Sequence, residues 1–216
     1  MEFNVLTVII IITIIVSIKG FSDGELKGRL MYIPYDVKHY NNYIRVFGHI
    51  LIHADYGHLA FNMFSLYFLG DIFLNAEAYT YVGITDSLTS VYGSVKGQAH
   101  FLILYVLGGL FATLIPYIRH YDNISYKSLG ASGAVSAVIF AAILWNPTVD
   151  LNLLFIPIDI PAYVFGPLYL AFEFYQDKKG NTGIAHDAHI GGAIFGIVYV
   201  LIINIDKGKD FLDIFI

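Results

Sequence analysis

The sequence contains no cysteine and few charged residues, and both shortages limit what the protein can be. Without cysteine there are no disulfide bonds, no thiolate metal sites and no cysteine nucleophile. Charged residues make up 13% of the 216 residues and hydrophobic residues 57%, against roughly 25% and 45–50% in ordinary soluble domains. The mean hydropathy of +0.66 implies more apolar surface than a soluble core of this size hides. The composition therefore predicts a multi-pass integral membrane protein with the lipid bilayer as its partner.

Positive charge is also scarce, since 12 lysines and arginines stand against 17 aspartates and glutamates and form no basic block. Nucleic acid is therefore not an expected partner. Nine of the twelve follow the first, third and fifth apolar segments described below, which by the positive-inside rule places the N-terminus outside. Because five of those nine lie in residues 19–45 alone, the charge distribution decides little.

Long apolar runs predict an all-α fold, a polytopic bundle of six transmembrane helices that forms one domain over residues 1–216. The first run is interpreted as a retained helix rather than a signal peptide, because Glu2 precedes it and no small-residue cleavage site follows. Residues 20–54 are expected to be a long connection with aromatic side chains at headgroup level, and residues 75–98 a polar loop. Prolines in the fifth run predict a kinked or partly re-entrant segment. The six runs cover about residues 3–18, 55–73, 99–118, 130–145, 153–174 and 186–205.

Polar residues within such runs are expensive and are therefore candidates for function. His58 and Asn62 are four residues apart, so on a helix that starts at Asp55 they share one face. The pair can offer hydrogen-bond donors to one developing negative charge. The alternative is that both side chains only link helices by ordinary hydrogen bonds.

Ser132 lies at a predicted helix start, where unpaired N–H groups favour an anion beside its hydroxyl. Gly133 on that helix and Gly192 with Gly196 on the sixth form stripes of small residues that let two helices pack closely. If the stripes meet, His189 reaches the Ser132 hydroxyl and forms a serine–histidine pair.

Two neighbours of that histidine compete for the same role. Asp187 lies two residues from His189 and does not share its helical face, so a third catalytic member is not expected there. His186 is expected to be a water-exposed structural or capping residue. The small residues around Ser132 are also ordinary helix-packing residues, so the tetrapeptide alone is weak evidence.

The combination resembles the rhomboid family of intramembrane serine proteases. The matching segments occur in the family's order and are Arg45–His53, Ala54–Met63, Gly130–Gly133 and Ala188–Gly192 with Gly196. The resemblance implies Ser132 as the nucleophile and His189 as its base, without a cofactor.

The resemblance implies further site residues and an orientation. It assigns oxyanion stabilisation to His58, Asn62 and the backbone of Ser132, a supporting role near the oxyanion to His53, and structural roles to Arg45 and His49. It also implies transmembrane proteins as substrates. It places the protein in a cell membrane, with the N-terminus inside and the serine toward the extracytoplasmic side, against the charge count.

Three positions depart from the family pattern. Ser136 replaces a common tyrosine that stacks on the catalytic histidine, so the imidazole needs another support, expected from an aromatic residue. Ile44 replaces an aromatic residue before Arg45, and the long loop displaces an expected acidic residue, so Glu77 is given no role.

Two other functions remain open at this point. One is a non-catalytic rhomboid-like protein that binds membrane helices, although such relatives usually lack the serine or the histidine. The other is a histidine-rich metalloprotein, suggested by eight histidines and by the spacing of His49 and His53. No further ligands lie nearby at metal-binding spacing, and we expect no metal site.

Overall fold

The computed structural model describes residues 4–70, 74–75, 80–81, 83–152, 159–180 and 182–216. Most of these residues are helical, with two short antiparallel strand pairs, β1–β2 and β3–β4, beside the helices. The helices are α1 (Val5–Ser22), α2 (Gly24–Leu30), α3 (Pro34–Tyr40), α4 (Ile44–Gly48), α5 (Tyr56–Gly70), α6 (Ile84–Tyr92), α7 (Ser94–Ala112), α8 (Leu114–His120), α9 (Ser132–Trp145), α10 (Ala162–Lys179), α11 (His186–Ile203) and α12 (Asp206–Leu212). The strands are β1 (Leu74–Asn75), β2 (Thr80–Tyr81), β3 (Asp150–Asn152) and β4 (Asp159–Pro161).

The chain is an all-α membrane protein by its architecture and hydropathy. Among the described residues, three helical stretches are long and apolar enough to cross a bilayer, namely Val5–Ser22, Ser94–His120 and His186–Ile203. Ser132–Trp145 is apolar but shorter. The six-span arrangement stays a prediction.

Helix α9 lies at the centre of the bundle, where α5, α7, α10 and α11 pack around it. Every residue from Gly133 to Trp145 is buried. Asn146–Pro147 ends this helix as predicted, since a residue before proline leaves the α region. A central, wholly covered helix holds its first residue, Ser132, in a defined position.

Local signals explain most helix boundaries. Asp55 caps α5 as predicted, because its Oδ1 accepts a hydrogen bond of 2.8 Å from the His58 N–H. The predicted third helix breaks at Thr113, because Pro116 has no N–H to donate to the carbonyl of Ala112. The second helix ends at Gly70 within the described residues.

Four other expectations change. Residues 20–54 contain α2, α3, α4 and a 3₁₀ turn at His49–Leu51 rather than a plain connection. The polar-loop prediction is wrong for residues 84–92, which form amphipathic helix α6, and for residues 94–98, where α7 already begins. The fifth helix begins only at Ala162 and continues through Pro167 to Lys179. The sixth ends at Ile203, two residues early. Glu77 and Pro157 lie outside the described residues.

The segment before α4 braces the loop that leads into α9. Tyr32 and Ser128 exchange two backbone hydrogen bonds of 2.9 and 3.0 Å. Arg45 donates to the carbonyls of Gly28 and Met31 at 2.6 and 2.7 Å and pairs with Asp36 at 2.9 Å. These contacts hold the 20–54 segment beside the residues that precede Ser132.

Candidate active site

The two residues of the predicted pair meet at the seam between α9 and α11. A Cβ placed on Gly192 would collide with the carbonyl oxygen of Gly133, and one on Gly196 with that of Ala137. The two backbones therefore approach as closely as small residues permit. Across the seam, His189 Nε2 lies 2.7 Å from Ser132 Oγ.

Both nitrogens of the His189 ring face polar partners. If Nε2 accepts from the Ser132 hydroxyl, Nδ1 carries the ring proton. Nδ1 lies 3.1 Å from Oε2 of Glu173, although the N–H direction does not meet the alignment of a hydrogen bond. The second ring nitrogen therefore faces a carboxylate, where sequence analysis expected support from an aromatic ring.

Glu173 is the residue that sequence analysis missed. It lies in α10, only 3% exposed, and its Oε2 is also 2.6 Å from Nδ1 of His186. The signal was present, because an acidic residue inside an apolar segment is itself a candidate for function. His186 is 4% exposed, so the prediction of a water-exposed residue is wrong.

The predicted oxyanion residues both lie on α5, and His58 lies beside Gly130 just before α9. Gly130 has a φ of +120°, and a Cβ there would lie 2.7 Å from His58 Cε1. Only glycine allows this backbone conformation with an imidazole so close. Asn62 is 2% exposed and donates to the His58 carbonyl oxygen at 2.9 Å.

Two histidines hold the backbone just before Ser132. His53 Nε2 accepts a hydrogen bond of 3.2 Å from the Ala131 N–H, and its Nδ1 pairs with the Ser17 hydroxyl of α1 at 2.9 Å. The carbonyl oxygen of His49 accepts from the Gly130 N–H at 3.0 Å. Burial lowers the pKa of His53 to about 3, so this ring stays neutral and can accept.

Asp187 faces away from the seam, toward Tyr126 and Arg119. Its Oδ1 accepts from the Tyr126 hydroxyl at 3.4 Å, and its Oδ2 lies 3.8 Å from Nη1 of Arg119.

A cavity opens beside Ser132, lined by residues that include Tyr32, Thr113 and Ala188.

A metal ion has one candidate location among the described residues. The ligand atoms of Glu173, His186 and His189 all lie within 4.8 Å of one another. His49 and His53, which suggested a metal from sequence, do not share a ligand position, since their Nδ1 atoms contact the Arg45 carbonyl and the Ser17 hydroxyl respectively.

Comparison with known proteins gives a consistent result. RHOMBOID-like protein 12, mitochondrial, from Arabidopsis thaliana is 28% identical over 172 residues, which are 73% of this chain and 45% of the relative. The human presenilin-associated rhomboid-like protein, mitochondrial, is 30% identical over 125 residues, 53% of this chain and 31% of the relative. Presenilin-associated rhomboid-like protein A, mitochondrial, from Danio rerio is 29% identical over 118 residues, which are 50% of this chain and 28% of the relative.

The chain spans less than half the length of these relatives. A model of the rhomboid domain matches residues 40–205, and this range contains the serine, the histidine that faces it and the helices that bring them together. With the motifs in order and the match over most of its length, the chain belongs to the rhomboid family.

Proposed function

We propose that the protein is an intramembrane serine endopeptidase that cleaves transmembrane segments of other proteins with a serine–histidine dyad. The observation that carries the proposal is the 2.7 Å contact between Ser132 Oγ and His189 Nε2. That distance is within the hydrogen-bond reach that a base needs to activate a serine.

The reaction proceeds through an acyl-enzyme. His189 Nε2 takes the proton of the Ser132 hydroxyl while Oγ bonds to the carbonyl carbon of the scissile peptide. The tetrahedral intermediate then expels the amine, which receives the proton from His189. A water molecule, deprotonated by His189, attacks the ester carbonyl and releases the new carboxyl end, and Ser132 regains its proton.

The negative charge on the tetrahedral oxygen needs donors in place before the reaction. We assign this role to His58, to Asn62 one turn further along α5, and to the backbone N–H of Ser132; His58 lies beside Gly130, just before the nucleophile. Loss of one such donor typically costs about 3–4 kcal/mol of transition-state stabilisation. His53, Arg45 and His49 act at a distance, by holding the 130–131 backbone and the segment beside it.

Substrates are expected to be transmembrane helices that unwind easily. A transmembrane helix keeps its peptide bonds inside its own hydrogen bonds, so cleavage requires local unwinding. Segments with glycine, proline or β-branched residues cost about 0.5–3 kcal/mol less to unwind per residue. These segments should be cut first.

The arrangement in the bilayer is part of the proposal. We place six spans across one domain, by adding α5, α9 and α10 to the three long apolar stretches. The mitochondrial names of the similar proteins favour a mitochondrial membrane over the cell membrane predicted from sequence.

The proposal is tested on the purified full chain in detergent, with a fluorophosphonate probe and a transmembrane test substrate. Ser132→Ala is expected to abolish labelling, and cleavage is expected to fall by at least about 1000-fold in both Ser132→Ala and His189→Ala. Ser136→Ala is the matched control, since this buried serine lies one turn further along the same helix, and it should keep both activities.

Each other outcome has a clear meaning. Labelling and cleavage that survive Ser132→Ala end the protease proposal. A wild-type chain that binds the test substrate without cutting it favours the non-catalytic function. Activity that is lost with a chelator and restored with a metal favours the metalloprotein.

A further inference from the structure

Glu173 has no role in the serine–histidine chemistry described above, yet its carboxylate is buried. Only three residues of α10 are buried, namely Ala162, Gly166 and Glu173. Taking a carboxylate out of water costs free energy unless charged or hydrogen-bonded partners compensate. The partners of Glu173 therefore indicate why it is there.

Those partners are two imidazoles that contact one oxygen, together with the hydroxyl of Tyr169 one turn earlier on α10. Oε2 of Glu173 lies 2.6 Å from Nδ1 of His186 and 3.1 Å from Nδ1 of His189. The opposite nitrogen of each ring contacts a hydroxyl, at 2.9 Å for Thr182 and 2.7 Å for Ser132. A carboxylate accepts only, so in each neutral ring it favours the tautomer with the proton on Nδ1 and with Nε2 as an acceptor.

We propose that Glu173 is a positioning residue for His189, so that the dyad works as a Ser132–His189–Glu173 triad. The proposal rests on the proposed function. The carboxylate selects the ring tautomer with a free Nε2 and stabilises the imidazolium that forms when His189 takes the serine proton. It supplies the support that the missing tyrosine at position 136 would otherwise give.

The geometry of the resting site fits this role. The short contact with His186 anchors the carboxylate, which leaves the longer contact with His189 free to tighten. The His189 N–H is buried and out of line with the oxygen. Catalytic hydrogen bonds are often loose before substrate binds and become aligned in the complex.

The central test compares two buried carboxylates after the same amide substitution. Glu173→Gln keeps the shape and removes the charge, and it is expected to lower kcat at least about 30-fold with KM within about threefold. Asp187→Asn is the matched control, 4% exposed and next but one to His189 in sequence, and both constants should stay within about threefold.

The pH profile separates positioning from a structural role. Loss of the carboxylate makes the His189 imidazolium less stable, so the acidic limb of kcat should move to lower pH by about one unit. Among the described residues, the polar groups that face His189 are Glu173 on α10, His186 on α11, Ser132 on α9 and His58 on α5. Tyr169 on α10 interacts with the Glu173 carboxylate.

Glu173→Asp keeps the charge but withdraws it by one methylene group. We expect a kcat between those of wild type and Glu173→Gln, with the acidic limb at the wild-type pH. If the glutamine variant does not fold, this aspartate variant carries the test, and wild-type kcat would overturn the proposal.

Three further results would overturn the triad. The first is a folded Glu173→Gln with kcat within about threefold of wild type. The second is a pH profile of Glu173→Gln in which the maximal kcat is lower but the acidic limb stays at the wild-type pH, which indicates a structural role. The third is one zinc ion per chain together with inactivation by chelator, which makes Glu173 a metal ligand. A wild-type chain that the fluorophosphonate does not label is different, because it defeats the proposed function itself.

Discussion

Helices α9 and α10 contact each other but are held in opposite ways. Thirteen of the fourteen residues of α9 are buried, whereas α10 buries three of eighteen. The position of α9 is determined by packing on every side. Most of α10 faces outward, and the few side chains that it turns inward include Glu173, whose carboxylate meets His189.

The difference shows where precision comes from in a membrane protein. Lipid is as apolar as leucine, so helices associate through close packing and polar contacts rather than through the hydrophobic effect. The glycine seam of α9 and α11 uses close packing. The contact of α10 with α11 uses Glu173 and His186, so a polar contact places the outer helix. Substitutions in the α9–α11 seam should therefore affect stability differently from substitutions on α10.

The largest effect is expected from Gly196→Ala in the seam. The new methyl group would meet the carbonyl oxygen of Ala137, and a backbone atom cannot turn aside as a side chain can. Overpacking costs about 1–3 kcal/mol and occasionally more, and we expect the upper part of that range because two helices must separate. Thermal unfolding in detergent measures the loss, and labelling of Ser132 should fall with it.

Gly166→Ala on α10 is the matched control. A Cβ there would lie 3.4 Å from Ile143 Cγ2 and 3.5 Å from the ring of Phe140, which is ordinary side-chain contact. Alanine is also the better helix former by about 0.5–1 kcal/mol. The midpoint of unfolding should therefore stay or rise, and an equal loss in both variants would contradict the distinction between the two helices.

A smaller effect is expected from Ile143→Ala, which removes side-chain volume from the far end of α9. Ile143 is 4% exposed, and such truncations cost about 2–5 kcal/mol in well-packed soluble cores. We expect the lower end, near 2 kcal/mol, because α10 can move inward. Cleavage per labelled molecule should be unchanged, since Ser132 lies three turns away.

The smallest effect is expected from Leu168→Ala on the outer face of α10. This side chain is 59% exposed, and substitutions away from packed sites usually change stability within about 0.5 kcal/mol. Both the unfolding midpoint and kcat should match wild type. A large loss would show that a partner or a second copy covers this face.

The sequence predicted the broad fold because apolar length is a strong signal. The end of α9 at Asn146 and the cap at Asp55 followed from local chemistry. Helix α6 was missed, since its serines and threonines resemble a loop by composition, although Thr85 and Ser87 are buried together with Ile84 and Leu88. Prolines were ambiguous, because Pro116 accompanies a break in the predicted third helix at Thr113, whereas α10 continues through Pro167.

The candidate site also contains residues that could be predicted from the sequence and one that could not. Ser132 and His189 were found because each lies in a recognisable motif with a glycine stripe beside it. Glu173 belongs to no such motif, and its helix shows no sequence periodicity that points this residue inward. The prediction that Asp187 stands apart from the dyad rested on helical geometry, and the structure places it against Tyr126.

By itself the sequence determined that this chain is a membrane protein, that its helices carry stripes of small residues, and that one serine and one histidine lie in the first turns of two of them. Those properties follow from the composition and spacing of residues within single helices. Only the tertiary structure decided which helix lies against the far side of His189, because the rotation and pairing of neighbouring helices depend on contacts between segments. The approach of Glu173 to that ring, at 3.1 Å, is such a contact.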